Sequence, residues 1–340
     1  MNNRYSRQVR FRPIGESGQQ ELQKKQVLVV GAGALGTNIS EMLVRAGVGK
    51  LTIIDRDFVE WSNLQRQQLY TEKDAQEAVP KATAAAAHLR KINSSVEIEG
   101  IAGEFNPNYS EDLFRQYDLI LDATDNFDTR LVINDMAQKH KIPWVYGGCT
   151  GSVGMTFTII PNLTPCLSCL MGNLPFQAET CDTVGIIAPI VQWVTAQQVT
   201  EALKILTGAN DELRMTLLFH DIWKNHSSSI KVSRLKKEDC PSCGENAVFP
   251  HLDIGNQTKS TILCGRDTVQ IRPGQNSPVN FDRIKKALKE ECMDVLENDF
   301  LIQANIENHR IVLFNDGRAL IHGTKDPAAA KELYHQLLAK

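Results

Sequence analysis

Short apolar runs alternate with amphipathic stretches over the first part of the chain. The runs cover 27–30, 51–54, 96–101, 119–123 and 144–146, and stretches with helical spacing reach about Ala46 and cover 81–92 and 128–140. A short, fully apolar run is typical of a strand buried on both faces. Strands that alternate with helices favour a mostly parallel sheet covered on both sides. The pattern predicts an α/β fold with a Rossmann-like, doubly wound sheet.

The pattern changes after Gly147. Alternation over 156–160 predicts antiparallel additions to the sheet, followed by a helix at 189–207 and strands at 215–219 and 229–235. The turn-rich stretch 240–255 indicates a boundary. Beyond it we expect a strand from about Thr261, a helix at 281–290, two strands joined at 307–309, a strand at 319–322 and a helix at 327–338. The predicted domains are 1–250 and a small α/β module at 257–340, either a stabilising appendage or a docking site.

Composition is that of an ordinary globular chain. Of 340 residues, 42% are hydrophobic and 23% charged, and 37 Lys and Arg against 40 Asp and Glu give a net charge of −3. No basic block suits nucleic acid. The longest apolar run, 27–36, is far shorter than the roughly 20 residues of a spanning helix, and the polar N-terminus has no signal-peptide core. We therefore expect a cytoplasmic protein with neither nucleic acid nor membrane as a partner.

A glycine-rich loop follows the first predicted strand. Its sequence, Gly31-Ala32-Gly33-Ala34-Leu35-Gly36, allows a tight turn and brings backbone N–H groups close to a phosphate. Asp55 ends the next strand about 20 residues later, where a ribose hydroxyl needs an acceptor. These residues favour a nucleotide but fit NAD and ATP equally well, and a turn without a ligand is the alternative. A P-loop is disfavoured because its lysine and hydroxyl signature is missing.

Charged residues near other predicted helix starts bear on the choice between NAD and ATP. Lys81 follows Pro80 at the positive end of a helix, so either a phosphate lies nearby or the side chain extends into water. Arg66 follows Ser62 and Asn63, which are plausible helix caps.

Asp122 and the pair Asp125-Asn126 follow a predicted strand at the carboxyl edge of the sheet, where ligands of such sheets bind. Asp125 is either part of a favourable helix start or a Mg²⁺ ligand.

Four of the eight cysteines form two C-x-x-C pairs. Cys166 and Cys169, with Cys240 and Cys243, suit a tetrahedral zinc site, and a redox role for one pair is the alternative. Of the other four cysteines, Cys149, Cys264 and Cys292 stand alone and are typical of small apolar fillers, and Cys181 lies just before the stretch 184–189.

Several motifs occur together in a particular order. They are Arg4-Tyr5-Ser6-Arg7-Gln8, the glycine loop, Asp55-Arg56-Asp57, SNLQRQ at 62–67, Pro80-Lys81, and Asp122-Ala123-Thr124-Asp125-Asn126. Over about residues 1 to 245 this set resembles the MoeB/ThiF/HesA family, adenylyltransferases related to ubiquitin-activating enzymes, and most closely the enzymes of Gram-positive bacteria. Ala34 stands where some relatives have glycine.

The resemblance implies ATP-dependent adenylylation of the C-terminal glycine carboxylate of a ubiquitin-like sulfur carrier with a Gly-Gly end. Pyrophosphate would be released, and the pathway would lead to the thiamine thiazole or to molybdenum cofactor. No thiosulfate-sulfurtransferase signature follows, so sulfur would come from a separate donor. The cysteine pairs would hold structural zinc.

The same resemblance assigns roles to residues. Asp55 would hold the ribose, Asp125 would position Mg²⁺, and phosphates would be contacted by Asn63, Arg66 and Lys81. Arg7 would reach the triphosphate of a neighbouring subunit, which implies a homodimer. Cys181 would lie near the adenylate, either reacting with the carrier or packing in its loop. The remaining nucleotide-binding positions would be Gly31, Gly33, Ala34, Gly36, Asp57, Ser62 and Asn126.

Three rival functions stay open. An NAD-dependent oxidoreductase would explain the glycine loop and Asp55 but not Lys81, Arg66 or the cysteine pairs. A zinc-stabilised binding partner without turnover would leave the filled catalytic positions unexplained. An adenylylating relative that acts on a tRNA base shares the motifs but does not need the C-x-x-C pairs.

Overall fold

The computed structural model describes residues 3–107, 114–171, 184–253, 260–262, 267–271, 280–291, 295–306 and 308–339. It forms two compact units, Met1–Gln76 with Pro80–Ile254, and Glu77–Val79 with Gly255–Lys340. Each unit has its own sheet. Over the described ranges, none of the helices is long and apolar enough to cross a membrane.

The first unit is built on an eight-stranded sheet with the order β3-β2-β1-β4-β5-β6-β7-β8. Strands β1 to β5 run parallel, and β6 to β8 are added antiparallel. This arrangement confirms the predicted α/β class with its antiparallel additions. The strands are β1 Gln26–Val30, β2 Lys50–Asp55, β3 Glu97–Ala102, β4 Leu119–Asp122, β5 Trp144–Thr150, β6 Val153–Ile159, β7 Thr216–Asp221 and β8 His226–Lys231.

The strand order creates a crevice at one edge of this sheet. From β1 the chain moves outward to β2 and β3, then returns to β4 on the other side of β1. In register, Val30 at the end of β1 lies opposite Ile54 of β2 and Asp122 of β4. The carboxyl ends of three strands therefore meet where the direction of winding reverses, the usual ligand position in open α/β sheets.

Helices cover the sheet and present their ends to that edge. Helix α3 begins beside the glycine loop and ends at Gly47, which has the left-handed φ of +84° that favours glycine. The long helix α8 packs on α3, β5 and β6. The helices of this unit are α1 Ser6–Val9, α2 Gly15–Leu22, α3 Ala34–Ala46, α4 Glu72–Gln76, α5 Lys81–Ile92, α6 Phe127–His140, α7 Leu167–Met171 and α8 Ala188–Thr207.

The apolar runs form the centre of the core. Consecutive side chains along β1, which point to opposite faces of the sheet, are buried, including Val27, Leu28 and Val29. This is expected of a parallel strand with helices on both faces. The sheet edge that carries the polar loops is thus mounted on a rigid, fully buried base.

The second unit is a six-stranded sheet with the order β11-β12-β13-β14-β10-β9, and its paired strands are antiparallel. Apolar side chains from the sheet and both helices share one core, including Ile302, Leu313, Ile284 and Leu337. The elements are β9 Ser260–Ile262, β10 Thr268–Ile271, α9 Phe281–Glu291, β11 Val295–Glu297, β12 Leu301–Ile306, β13 His309–Phe314, β14 Ala319–His322 and α10 Pro327–Ala339.

One predicted strand ends earlier than expected. The sequence indicated a strand at 229–235, but β8 ends at Lys231 and a 3-10 turn covers Ser233–Leu235. Lys231 pairs with Thr216, the first residue of β7. The partner strand stops there, so the backbone beyond Lys231 has no ladder to join.

Candidate functional site

The glycine loop is shaped by two of its glycines and left open at the third. Gly31 has φ +101°, and a Cβ on it would collide with the backbone of Ala123. A Cβ on Gly36 would collide with the backbone of Gly31. Around Gly33, by contrast, the nearest atom to a Cβ would be Gln67 Nε2 at 3.9 Å. Gly31 and Gly36 therefore let the loop pack closely, and the Cβ side of Gly33 is open.

The loop leads directly into helix α3. The helix starts at Ala34, with Gly33 as its N-cap and no side-chain cap. The first N–H groups of an α-helix have no partner within the helix, and they carry its positive partial charge. An anion at this point would be bound by backbone N–H groups, as phosphates commonly are.

Asp55 holds the loop from the end of β2. Its Oδ2 accepts a hydrogen bond from Ala32 N–H at 2.6 Å, and its Oδ1 accepts one from Asp57 N–H at 2.7 Å. Burial raises the pKa of Asp55, the charge of Asp57 acts in the same direction, and Lys81 opposes both. This carboxylate is therefore fixed in place at an electrostatic cost.

Lys81 is buried at the start of α5, with only 4% of its surface exposed. The alternative of a lysine that extends into water is therefore wrong. Its N–H donates to Asp57 O at 2.8 Å, and its Nζ lies 3.4 Å from Asp57 Oδ2. Asp57 thus supplies the negative charge that a cation at the positive end of a helix needs. A phosphate would offer the same compensation.

Arg56 connects the end of β2 with the loop after β3, a role that the sequence motif did not reveal. Its Nη1 lies 2.9 Å from Glu104 Oε1. Burial opposes its charge, but Asp57, Glu104 and Asp125 together raise the pKa of Arg56. The fixed cation therefore lies among carboxylates from three segments of the edge.

The loop after β4 is held by a buried ion pair that sequence reasoning missed. Arg130 Nε donates to Asp122 Oδ2 at 3.0 Å, and its Nη2 donates to Thr124 O at 2.7 Å. Asp122 Oδ1 in turn accepts hydrogen bonds from Thr124. Asn126 is the N-cap of α6, since its side chain accepts from Thr129 N–H. The exposed Asp125 carboxylate between them is left at the open edge.

The segment 62–67 forms a turn rather than the expected cap. Glu60 is the N-cap of a 3-10 turn at Trp61–Asn63, and Asn63 Oδ1 accepts from Glu60 N–H at 3.0 Å. Ser62 is therefore not the cap, and Asn63 closes a capping box instead. Arg66 Nη1 donates to Ser62 O at 2.9 Å. Gln67, absent from the predicted site, is 4% exposed, and its Oε1 has no hydrogen-bond partner in the described part of the chain.

The structure does not test the roles of two residues that the resemblance singled out. Arg7 is exposed on α1, and within the described ranges no hydrogen bond or ion pair joins it to the edge. Cys181 lies outside the described residues. Both assigned roles stay predictions.

The four paired cysteines converge at a second place in the first unit. Their sulfur atoms all lie within 4.8 Å of one another, with separations of 3.8 Å for Cys166–Cys169 and 3.6 Å for both Cys166–Cys240 and Cys169–Cys243. Four sulfurs at the vertices of a tetrahedron, each about 2.3 Å from a zinc ion, would be about 3.8 Å apart. The cluster therefore fits Zn²⁺.

Neighbouring polar groups hold the two cysteine segments in place. Asn134 Oδ1 accepts from Leu167 N–H at 2.9 Å, and the hydroxyls of Ser168 and Ser242 lie 2.9 Å apart. A Cβ on Gly244 would collide with backbone of the same segment. A redox pair needs only two thiols, so the convergence of four favours a metal.

Comparisons with known proteins show which proteins this chain resembles. The model of the ThiF family matches residues 5–242. The sulfur carrier protein ThiS adenylyltransferase of Bacillus subtilis is 50% identical over 336 residues, 99% of each chain. The sulfur carrier protein adenylyltransferase of Thermus thermophilus is 35% identical, over 72% of this chain and 91% of its own. Among solved structures, Escherichia coli MccB with MccA-N7isoASN superimposes with a TM-score of 0.60 at 20% identity, over 72% of this chain and 75% of its own, which shows a shared fold.

Proposed function

The chain belongs to the ThiF family, and from this premise we propose that it joins AMP to the C-terminal glycine carboxylate of a ubiquitin-like sulfur carrier. The observation that carries the proposal is the 50% identity, over 99% of both chains, to a ThiS adenylyltransferase. The protein is accordingly a nucleotidyltransferase that uses ATP with Mg²⁺. The alternative of an NAD-dependent oxidoreductase would not explain the buried Lys81 or the four converging thiols.

A ThiS-type carrier, and thus the thiamine thiazole, is the better choice of pathway. Similarity to the ThiS adenylyltransferase extends over residues of the second unit, whereas the Thermus match covers 72% of the chain. A MoaD-type carrier of molybdenum cofactor synthesis is the alternative that the experiment below distinguishes.

The proposed reaction is a displacement at phosphorus. A carboxylate oxygen of the carrier forms a bond to the α-phosphorus of ATP, and the bond from that phosphorus to the bridging oxygen breaks, releasing pyrophosphate. An anion must therefore approach a polyanion, so fixed cations and Mg²⁺ must offset the repulsion and stabilise the leaving pyrophosphate, and positioning of the reactants supplies most of the rest. No protein nucleophile is needed.

The edge of the sheet supplies these groups. The N-terminus of α3 would bind a phosphate, Asp55 would accept from the ribose, and Lys81 with Arg66 would neutralise the triphosphate. Asp57, now beside Lys81, would yield that contact to the nucleotide. Asp125 would hold Mg²⁺, which supplies positive charge against the triphosphate and the departing pyrophosphate.

The cysteine cluster serves a separate, structural purpose in this proposal. Zinc bound by Cys166, Cys169, Cys240 and Cys243 would tie two segments more than 70 residues apart in the sequence, as their sulfur contacts do in the structure. A closed four-thiolate site leaves no open position for a reacting group.

A homodimer would complete the nucleotide site through Arg7. This side chain is exposed and not engaged with the edge of its own chain in the described part. Mixing Arg7→Ala with Lys81→Ala subunits tests the idea, because one site of each mixed dimer would then be intact. Random mixing should restore about one quarter of wild-type activity. No recovery in dimers shown to exchange subunits would mean that Arg7 does not act across an interface.

The later transfer of sulfur would use a separate donor, and a reaction of Cys181 with the carrier would follow adenylylation. Cys181→Ala should therefore keep full adenylylation. Since the reaction needs ATP and the cluster needs reduced thiols, we place the protein in the cytoplasm.

The decisive experiment is ATP–pyrophosphate exchange with each carrier in turn. Exchange that needs an intact ThiS-type carrier, and fails when its last glycine is removed, supports the proposal. Exchange with the MoaD-type carrier alone would assign the protein to molybdenum cofactor synthesis. No exchange with either folded carrier, but adenylylation of tRNA or quenching of NADH fluorescence, would replace the proposal by one of its rivals.

A further inference from the structure

Tyr70 lies where two parts of the proposed nucleotide site meet. It is 7% exposed, and its hydroxyl oxygen is 2.6 Å from Ala32 O in the glycine loop and 3.1 Å from Lys81 O at the start of α5. It follows the SNLQRQ segment, and its N–H donates to Gln67 O at 3.2 Å. One side chain thus touches the loop, the lysine helix and the turn that contains Arg66.

The hydroxyl can donate only one proton to these two carbonyls. The shorter distance assigns the main hydrogen bond to Ala32 O, with Lys81 O as the second acceptor. Burial raises the pKa of Tyr70 well above its usual value, so the group keeps its proton and stays a donor. Removing the hydroxyl would leave Ala32 O without its buried donor.

Fixing Ala32 O also fixes the neighbouring N–H. The peptide between Ala32 and Gly33 is planar and trans, so its C=O and its N–H point in opposite directions. With the carbonyl directed at Tyr70, the Gly33 N–H is directed away from it. Asp55 holds the other side of Ala32 through the Ala32 N–H. Ala32 is therefore clamped from both sides and cannot rotate its peptide freely.

The Gly33 N–H has the properties of a ligand-binding donor. In the described part of the chain no protein group accepts a hydrogen bond from it. It stands at the N-cap of α3, and on the Cβ side of Gly33 the nearest atom, Gln67 Nε2, would be 3.9 Å from a Cβ.

We propose that Tyr70 is a positioning residue that aims the Gly33 N–H at a phosphate of the bound nucleotide and keeps the glycine loop in register with Lys81. The proposal rests on the proposed function, since it takes the ligand to be ATP. Tyr70 itself touches no reacting atom. Its effect is on ATP binding, through the direction of one peptide and the spacing between two phosphate-binding elements.

The test is Tyr70→Phe, which keeps the ring and its packing. In exchange assays at varied ATP we expect the KM for ATP to rise about fivefold, the size of one hydrogen bond. The kcat and the KM for the carrier should stay near wild type, because a contact made equally in the ground and transition states alters KM alone. Direct titration of ATP should show the same loss in affinity.

Tyr334→Phe is a matched control in the second unit. Tyr334 is 3% exposed and its hydroxyl donates to a backbone carbonyl, Gly317 O, at 2.8 Å. Both variants should lower the melting temperature, but only Tyr70→Phe should raise the KM for ATP. An unchanged ATP KM in a folded Tyr70→Phe protein would overturn the inference. If the variant does not fold, Ala32→Gly, which frees the same peptide and keeps the hydroxyl, should raise the KM for ATP, and an unchanged value there would also overturn it.

This outcome differs from failure of the proposed function. If wild-type protein showed no exchange with any carrier, the function would be wrong, whereas ATP titration of wild type and Tyr70→Phe would still test the positioning role. Exchange in wild type together with equal ATP affinities in both proteins would reject Tyr70 alone.

Discussion

The first unit has two polar sites, the carboxyl edge of its sheet, where we propose that ATP binds, and the cysteine cluster. The two sites are built in opposite ways. At the edge, Asp55, Asp57 and Lys81 are crowded together, and burial together with Asp57 raises the pKa of Asp55. At the cluster, four thiols close around one point at distances suited to a single ion. One site is open and electrostatically unfavourable, and the other is closed.

This difference suits the ligand that we propose for each site. A substrate must enter and leave, and in the described part of the chain the edge has an N-terminus of α3 without a side-chain cap, an exposed Asp125 and a lysine whose present partner is a carboxylate. A structural ion stays bound, so the cluster has Cys166, Cys169 and Cys240 buried. Changes at the edge should therefore affect turnover, and changes at the cluster should affect folding.

Lys81→Ala should give the largest effect, a loss of activity at the edge without any change at the cysteine cluster. Loss of the buried cation should reduce ATP–pyrophosphate exchange about 10³-fold, because it removes charge stabilisation of the transition state. Zinc content, measured by mass spectrometry of the metal, should stay at wild-type level. Lys91→Ala, an exposed lysine at the other end of the same helix, is the control and should keep activity. Near-normal exchange in Lys81→Ala would remove the lysine from the mechanism.

Asp125→Asn should have the next largest effect. The carboxylate is exposed at the edge and assigned to Mg²⁺, so exchange at low Mg²⁺ should fall about 10²-fold and recover partly as Mg²⁺ is raised. Asp128→Asn makes the same charge change on an exposed residue three positions later and should leave the Mg²⁺ dependence unaltered. Equal Mg²⁺ curves for the two variants would show that Asp125 is only part of a helix start.

Much of this architecture could be predicted from the sequence, for physical reasons. Short, fully apolar runs rich in valine, such as Val27–Val30, are typical of buried strands, and a glycine loop between a strand and a helix has few alternative conformations. The convergence of the two C-x-x-C pairs at a candidate zinc site could also be predicted, because their spacing is typical of zinc ligands.

The contacts that hold the edge in place could not be predicted. Arg130 pairs with Asp122 across a loop, and Tyr70 reaches Ala32 from 38 residues away. Such pairs depend on side-chain direction in the folded core, which residue type and spacing do not specify. Asn63 illustrates the same limit, since residue type does not show that its Oδ1 accepts from Glu60 N–H while its Nδ2, the atom that can donate to a phosphate, lies 3.4 Å from Ser62 Oγ.

Cys240→Ser should reverse the outcome of the Lys81 change. We expect less than stoichiometric zinc and a melting temperature lower by about 10 °C, because the free energy of binding a structural zinc contributes to folding. At a temperature where the variant is folded, its KM for ATP should match that of wild type. Cys149→Ser, a cysteine outside the cluster, should keep its zinc. A raised KM in folded, zinc-depleted protein would show that the two sites are coupled.

The smallest expected effect is the pH dependence of the KM for ATP, which should differ between wild type and Asp55→Asn. Burial raises the pKa of Asp55, so on acidification this carboxylate becomes protonated at a higher pH than an ordinary aspartate, which titrates near pH 4. Protonation removes an acceptor for Ala32 N–H and for the proposed ribose contact. The KM for ATP should therefore be constant near neutral pH and rise several-fold as the pH falls through the raised pKa, whereas in Asp55→Asn it should be high and flat.

The sign of the accompanying stability change separates this effect from unfolding. Because the folded-state pKa of Asp55 lies above its unfolded value, the folded state binds the proton more readily, and the contribution of this group to stability grows as the pH falls through that window. The zinc cluster behaves in the opposite way, since protons compete with the metal for thiolates. KM, melting temperature and bound zinc should be followed together on the same samples. A rise in KM that appears only when zinc is lost would assign the acid effect to the cluster and not to Asp55.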